Sequence, residues 1–246
     1  MINIFTRATL LHWQSTKHAS KPLQSVVART LHKVDLESVF SDNNKIHVQS
    51  KLDTARPLIR PLANPKGPKS EAAVLVPMCY IGQEPSILFM MRSRDLNSHS
   101  GEICFPGGMK DSTDRDLVHT ALRETHEEIG LSEEHVDVWG RLPPSRARAG
   151  SQVTPVLGFC GNYEDKPWKI NDKEVQEIFT RSIASLCDSD NIRTTQFRYE
   201  NTGYTMPVFF GSSAKHRVWG LTAVILHQVL STIAPGIYNF KVKHKR

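Results

Sequence analysis

The segment from Asp116 to Leu131 constrains the fold of this 246-residue chain more than any other part of the sequence. Apolar residues recur in it at helical spacing, and Gly130 is of the type that commonly closes a helix in the left-handed conformation. We therefore predict a helix over residues 116–129. Its apolar face should anchor it on a sheet, and this face consists of Val118, Ala121, Leu122 and Ile129.

The other face of this helix carries three glutamates, Glu124, Glu127 and Glu128. At about 100° per residue they fall within roughly a 100° arc, so we expect the carboxylates to crowd together and to point outward. Like charges this close repel one another, which favours a bound cation among them. Oxygen donors indicate Mg²⁺ or Mn²⁺, because both bind carboxylates and share sites with phosphate oxygens. A solvated acidic surface is the alternative interpretation.

The residues that flank the glutamates favour the metal site over the solvated surface. Arg123 lies four residues before Glu127, so it can orient that carboxylate or neutralise excess charge. Upstream, a Phe-Pro-Gly-Gly run ends at Gly108, and adjacent glycines allow a backbone carbonyl to turn toward the metal. Gly108 therefore joins the candidate metal ligands.

The stretch from Gly107 to Leu131 resembles the Nudix box, G-x(5)-E-x(7)-R-E-U-x-E-E-x-G-U, where U is a bulky aliphatic residue. The sequence departs from this pattern at Thr125, which replaces the first aliphatic residue after the arginine. The expected upstream glutamate falls on Arg115, and the glycine pair lies one residue too far away. Asp114 and Asp116 flank that position, and either is a candidate replacement for the missing acid.

The resemblance implies an α+β protein, an α/β/α sandwich with a mixed sheet, that hydrolyses a nucleoside diphosphate linked to another moiety with the help of divalent metal. Carried over residue by residue, Glu124 and Glu128 correspond best to metal ligands, followed by Glu127. Alternatively, Glu124 is the general base. The two catalytic candidates are Glu124 and Glu127. The spacing leaves this assignment open.

A second resemblance concerns the substrate. Residues 88–108, Leu-Phe-Met-Met-Arg-Ser-Arg-Asp-Leu-Asn-Ser-His-Ser-Gly-Glu-Ile-Cys-Phe-Pro-Gly-Gly, are similar to the signature that precedes the box in the coenzyme A diphosphatase branch. This resemblance implies coenzyme A or acyl-CoA as substrate, and 3′,5′-ADP and (acyl-)4′-phosphopantetheine as products. Arg92 is the substrate-binding candidate, because a guanidinium group suits phosphate. Whether Glu174 joins the metal shell is left open.

Two alternatives to this function remain. The first is another Nudix substrate, such as ADP-ribose, a dinucleotide or an oxidised nucleotide. The second is a Nudix module that binds nucleotide or RNA without turnover, which the missing box acid and the basic ends favour. The intact set of Glu124, Glu127 and Glu128 favours hydrolysis.

The positive charge of the chain is confined to its ends. Residues 1–70 carry 11 Lys and Arg against 4 Asp and Glu, whereas residues 71–246 carry 20 against 21. The body therefore has no basic excess that would indicate nucleic acid, and we expect a small nucleotide as the partner. The four cysteines form no Cys-x-x-Cys pair, which favours a reducing compartment.

The N-terminal residues have the composition of an organelle-import signal, because no Asp or Glu occurs up to Val34. We predict a mitochondrial transit peptide or disordered leader over 1–50 and a Pro-rich basic linker over 51–69. The Nudix domain should follow over 70–238, and a basic tail over 239–246. No apolar stretch is long enough to span a membrane, and the oligomeric state is left open.

Alternating and helical patterns give the remaining elements of the domain. Pro77 should restrict the first strand to an edge or a bulge, because proline lacks the N–H that a central strand donates. The predicted strands are 72–80, 86–91, 136–142, 153–160 and 174–179. A hairpin is predicted over 197–210 and a helix over 219–233.

Overall fold

The structure is a computed structural model, and its contacts group the chain from Leu36 onward into one unit. It describes residues 36–52, 54–56, 70–96, 99–147, 151–199, 202–211 and 214–242. The predicted leader up to residue 35, most of the predicted linker and the last four residues of the tail lie outside the described residues. None of the described helices has both the length and the apolar content needed to cross a membrane.

The described elements follow the predicted order, with small shifts at their ends. The strands are β1 (Glu71–Ile81), β2 (Glu84–Arg92), β3 (Ile103–Cys104), β4 (Gly107–Met109), β5 (Asp137–Arg141), β6 (Ser145–Arg146), β7 (Gln152–Asn162), β8 (Val175–Ser182), β9 (Ile192–Tyr199) and β10 (Thr202–Phe209). The helices are α1 (Asp42–Leu52), α2 (Leu117–Ile129), α3 (Ile183–Cys187) and α4 (Gly220–Ile233). The predicted hairpin over 197–210 is therefore longer, because its first strand already begins at Ile192.

Strands β1 to β8 join one mixed sheet, in which the central order is β3-β2-β1-β7-β5. In addition, β4 pairs with β1, β6 with β7, and β8 with β2. The pairing of β1 with β7 is parallel, and the other pairings in this sheet are antiparallel. Strands β9 and β10 form a separate antiparallel hairpin.

Helices cover both faces of the sheet. Successive side chains of β1 point to opposite faces, so this strand packs against a helix on each side. Ala73 and Leu75 pack with Ala121 and Leu122 of α2 in one buried cluster. Val76 and the next even-numbered residues of β1 pack with the buried side of α4 in another. The predicted fold class, an α+β protein with an α/β/α sandwich around a mixed sheet, is thus confirmed.

Helix α2 has the ends that its sequence predicts. Asp116 lies at its N-cap in extended conformation, and its side chain accepts a hydrogen bond from the His119 N–H. Gly130 ends it with φ 77°, in the left-handed region, and its N–H donates to the His126 carbonyl. Both ends of the helix that carries the glutamates are therefore fixed by local hydrogen bonds.

Pro77 does not place β1 at an edge, so the edge alternative of the prediction is wrong. The bulge alternative has a counterpart nearby, because the register of β1 with β7 shifts between Met78 and Tyr80. The strand is central, and Pro77 lies opposite Gly158 in the parallel pairing with β7. On the other side, the partners of β1 are β4 up to Val74 and β2 from Met78 onward. Pro77 therefore falls in the interval between two antiparallel partners, where its missing N–H leaves no bond of those ladders unmade.

Residues 36–52 pack on the folded body, although the sequence assigns residues up to 50 to the leader. Phe40 and Val48 are buried in the cluster that also holds α4. The side-chain amide of Asn44 donates to the Ile233 carbonyl over 2.8 Å. The folded part thus begins well before the predicted boundary at residue 70, because apolar residues of this segment find partners far along the chain.

Candidate active site

Glu128 is the most enclosed of the three glutamates of α2, since its side chain is only 3% exposed. The backbone N–H of Gly107 donates to Oε2 of Glu128 over 2.8 Å. Burial raises the pKa of Glu128 to about 8, although the bond from Gly107 and the charge of Arg92 act in the opposite direction. The expectation that all three carboxylates point outward is therefore wrong for Glu128, which lies beneath the backbone of Gly107.

Glu124 lies beside the other glycine of the pair. A Cβ placed on Gly108 would come within 2.5 Å of the carboxyl carbon of Glu124, so the carboxylate keeps this position only beside a glycine. Burial raises the pKa of Glu124, and the adjacent Arg123 lowers it by a smaller amount. The predicted proximity of the glycine backbone and the acidic helix is thus present in the structure, and the use of the Gly108 carbonyl as a ligand stays a prediction.

Arg123 connects three carboxylates. Its Nε and Nη2 lie 2.9 and 3.0 Å from the two oxygens of Asp114, which form a bidentate pair with it. Nη2 also lies 3.0 Å from Oε1 of Glu124, and Nη1 lies 3.1 Å from Oε2 of Glu127. The arginine therefore holds Glu124 and Glu127 against the loop that precedes the helix.

The two candidate replacements for the missing box acid have different positions. Asp114 is buried and accepts hydrogen bonds from Arg123, Thr120 and its neighbours, which hold the pKa of this carboxyl far below its usual range. Asp116 caps α2 instead. Asp114 thus anchors the arginine that contacts Glu124 and Glu127, while Asp116 serves the helix itself.

Glu127 differs from the other two glutamates, because its side chain is 54% exposed and is paired with Arg123. Within the described residues, no three His, Cys, Asp or Glu side chains converge in an arrangement that could hold a metal ion. Glu124, Glu127 and Glu128 therefore do not form one compact group of metal ligands in the described part of the chain. The negative charge of Glu174 makes a small contribution to the raised pKa of both Glu124 and Glu128, for which burial is the main cause.

The residues near the glycine pair fit a divalent cation in their chemistry. Glu124 and Glu128 are hard oxygen donors whose charged forms are disfavoured by burial and by mutual repulsion. The carboxylate of Glu124 lies close against the backbone of Gly108, which has no side chain in its way. A cation there would relieve the repulsion, so the donor set supports Mg²⁺ or Mn²⁺ more directly than the helix surface around Glu127 does.

Arg92 reaches this site from the end of β2. Its Nη1 lies 3.6 Å from Oε1 of Glu128, and its buried Nε has no acceptor among the described residues. Arg92 also lines a cleft of about 450 Å³ that includes Gly107 and Gly108. His99 and Arg146 line the same cleft, whereas Arg94 lines a separate hollow.

A family model, the NUDIX domain, matches residues 69–199, which is more than half of the chain. The chain belongs to the Nudix family. Its sequence is similar to "Mitochondrial coenzyme A diphosphatase NUDT8" of Mus musculus, at 42% identity over 184 residues, 74% of this chain and 87% of that protein. The human protein of the same name is 43% identical over 172 residues, 69% of this chain and 72% of its own length.

A third relative is "Nudix hydrolase 3" of Caenorhabditis elegans, at 36% identity over 185 residues, 69% of this chain and 76% of that protein. The resemblance of the box to the Nudix pattern is thereby confirmed, and the chain is a Nudix pyrophosphohydrolase. The upstream signature is similar to that of the mitochondrial family member called nucleoside diphosphate-linked moiety X motif eight, in agreement with the names of the mouse and human relatives.

Sequence reasoning missed two features of this Nudix site. It did not predict that Asp114 binds Arg123, although Asp114 lies nine residues away and next to the expected acid. It also did not predict the burial of Glu128, which depends on how the loop before α2 crosses the helix. The Phe-Pro-Gly-Gly run was the available signal, because adjacent glycines permit such a close crossing.

Proposed function

We propose that this Nudix protein hydrolyses the diphosphate linkage of coenzyme A or acyl-CoA with Mg²⁺ or Mn²⁺, releasing 3′,5′-ADP and (acyl-)4′-phosphopantetheine. The contact between Arg92 and Glu128 carries the proposal. Arg92 belongs to the upstream signature of the coenzyme A branch, and Glu128 belongs to the box, so a substrate determinant and a metal determinant meet at one site. The names of the mouse and human relatives support the same substrate.

The proposal gives each predicted residue a role. Glu124, Glu128 and the Gly108 carbonyl would hold the cation, with Glu127 or Glu174 as the further carboxylate. A bound divalent cation polarises the diphosphate and lowers the pKa of water. Arg92 would bind a substrate phosphate through its guanidinium group, whose Nε is without an acceptor among the described residues.

The remaining chemistry is a proton transfer and a displacement. A water attacks one phosphorus, the bond from that phosphorus to the bridging oxygen breaks, and the second phosphate leaves with the bridging oxygen. The proton of the water passes to Glu124 or Glu127, which are the catalytic candidates. Arg123 contacts both of these carboxylates and would orient them.

Product analysis tests this function. The purified protein would be incubated with Mg²⁺ or Mn²⁺ and, separately, free coenzyme A, acyl-CoA, ADP-ribose, a dinucleotide and oxidised nucleotides. Release of 3′,5′-ADP from the coenzyme A substrates is the expected result. Preferential cleavage of another substrate would replace coenzyme A within the same family. Failure to cleave any of them, by folded protein that binds metal, would support the non-catalytic binding module.

We propose in addition that the N-terminal residues direct the protein into mitochondria. The support is the absence of acidic residues up to Val34, together with the word "Mitochondrial" in the names of two relatives. The import signal would end before Leu36, because the packed segment starts there. A fluorescent protein fused behind residues 1–35 should enter mitochondria, and uniform cytosolic fluorescence would contradict the proposal.

A further inference from the structure

The cleft beside the glycine pair extends to residues beyond those proposed to bind the diphosphate, and its lining is mainly apolar. Val74 of β1 contributes the sheet side, and Leu221 and Val224 contribute from the first turns of α4. Phe197 and Met206 of the β9–β10 hairpin also line it. At about 450 Å³, it falls in the range of cavities that accept small organic ligands.

Two large apolar side chains of this cleft remain accessible to solvent. Trp219 is 39% exposed and Met109 is 49% exposed, and both line the cleft. Among the described residues, only Ile46 and Phe210 share this combination of large apolar side chain and high exposure. Grouped exposed apolar residues are typical of a ligand-binding surface, whereas scattered ones are not.

The cleft is continuous with the proposed diphosphate site. Gly107, Gly108 and Arg92 line it, and the same residues contact Glu124 or Glu128. A substrate whose diphosphate lies at these glutamates therefore has one of its two substituents in the cleft. In acyl-CoA the two substituents differ strongly, since one is an adenosine 3′-phosphate and the other ends in a thioester and a hydrocarbon chain.

We propose that the cleft holds the thioester end of acyl-CoA, and that Leu221 and Val224 set a preference for acyl-CoA over free coenzyme A. This inference rests on the proposed function. A hydrocarbon chain buries apolar surface against such a wall without leaving a polar group unpaired. Leu221 and Val224 have side chains that offer no hydrogen-bond partner to the polar edge of an adenine placed against them.

Steady-state kinetics with free coenzyme A and with acyl-CoAs of increasing acyl-chain length test the preference for acyl-CoA. For the unmodified protein, kcat/KM should rise on the order of tenfold from free coenzyme A to octanoyl-CoA, chiefly through a lower KM. In Leu221→Gln and Val224→Gln the octanoyl-to-free ratio should fall to near one. Ile46→Gln is the matched control, because Ile46 is an exposed apolar residue on α1, outside the cleft, and should retain the ratio.

A binding measurement separates this inference from the proposed function. S-octanoyl-pantetheine lacks both nucleotide and diphosphate, so its calorimetric titration into the full chain reports on the cleft alone. Binding should be saturable, weaker for unacylated pantetheine, and lost in Val224→Gln that retains its circular dichroism spectrum. Absent binding, or an unchanged kinetic ratio in both variants, would overturn the inference even if coenzyme A is hydrolysed. Intact binding without hydrolysis of coenzyme A would contradict the proposed function instead.

Discussion

Glu128 lies beneath the backbone of Gly107, whose N–H is 2.8 Å from its Oε2, while Glu127 on the same helix faces solvent beside Arg123. A buried carboxylate without a cation is costly, and burial is the largest cause of the raised pKa of Glu128, about 8. An exposed carboxylate is solvated by water, so a bound metal ion stabilises its charged form less. The difference in burial therefore predicts different consequences for equivalent substitutions in the two residues.

Glu128→Gln should abolish metal-dependent turnover, with kcat lowered by at least about a hundredfold, because the amide removes one negative oxygen donor. The fold should persist, since the amide can still accept from Gly107. Glu127→Gln is the matched comparison and should lose less activity. Steady-state kinetics and circular dichroism check both variants, and unchanged turnover in Glu128→Gln would refute its role.

Gly108→Ala should lower kcat without unfolding the protein. Its Cβ would come within 2.5 Å of the Glu124 carboxyl group, which is the end of a side chain and can move away. Gly236→Ala is the control, because a Cβ there meets nothing within 4 Å. Kinetics and thermal unfolding distinguish the outcomes. Equal activity in the two variants would show that the position of Glu124 does not matter.

Asp114→Asn should lower the free energy of unfolding at neutral pH by about 2 kcal/mol, because Arg123 loses its charged, bidentate partner. The folded pKa of Asp114 lies below its unfolded value of about 4, so its contribution is present above that pH and is lost as pH falls toward the folded pKa. Denaturant titrations at pH 7 and at lower pH should show the difference between the two proteins shrinking. A constant difference would contradict this account.

At the scale of elements, the segment that contains α1 is part of the folded body. Phe40 packs edge-on against Tyr80 at a ring-centroid distance of 5.4 Å and lies 5.5 Å from the Phe159 ring. These contacts join the segment to β1 and β7, the two strands at the centre of the sheet. Removal of the segment would therefore uncover part of the core.

Phe40→Ala should destabilise the protein by about 3 kcal/mol, the usual cost of deleting a buried aromatic side chain. Ile46→Ala in the same segment should change stability by less than about 1 kcal/mol, because Ile46 is 65% exposed. Urea unfolding measures both. If the two substitutions have equal effects, residues 36–52 do not pack on the body in solution.

At the scale of the whole molecule, folding and metal binding should be separable. The apolar clusters on the two faces of the sheet consist of buried side chains and need no cation. The carboxylates near Gly107 and Gly108 are a local addition to this sandwich. The protein without metal should therefore be folded and inactive.

Mg²⁺ or Mn²⁺ should raise Tm in a concentration-dependent way, since a ligand that binds only the folded state stabilises it by mass action. Glu128→Gln should show a much smaller rise. A chelator should remove activity while the circular dichroism spectrum is retained. Unfolding of the protein by the chelator would instead assign the metal a structural role.

Local patterns in the sequence were sufficient to predict α2, both of its ends and most strands. The bonds at the caps of α2 span only three or four residues, so the neighbours that form them are visible in the sequence. The Nudix box could be recognised for the same reason, because its residues lie on one short segment. The family resemblance indicated Arg92 as a substrate-binding residue, but its position beside Glu128 was not predicted.

The sequence by itself determined the family, the sandwich fold and the helix that carries Glu124, Glu127 and Glu128. Only the tertiary structure decided which of these carboxylates is buried, which acid binds Arg123 and where the folded chain begins. These properties depend on contacts between distant segments, such as Gly107 with Glu128 at a separation of 21 residues and Asn44 with Ile233 at 189. Periodicity describes one segment at a time, and burial is a property of several segments packed together.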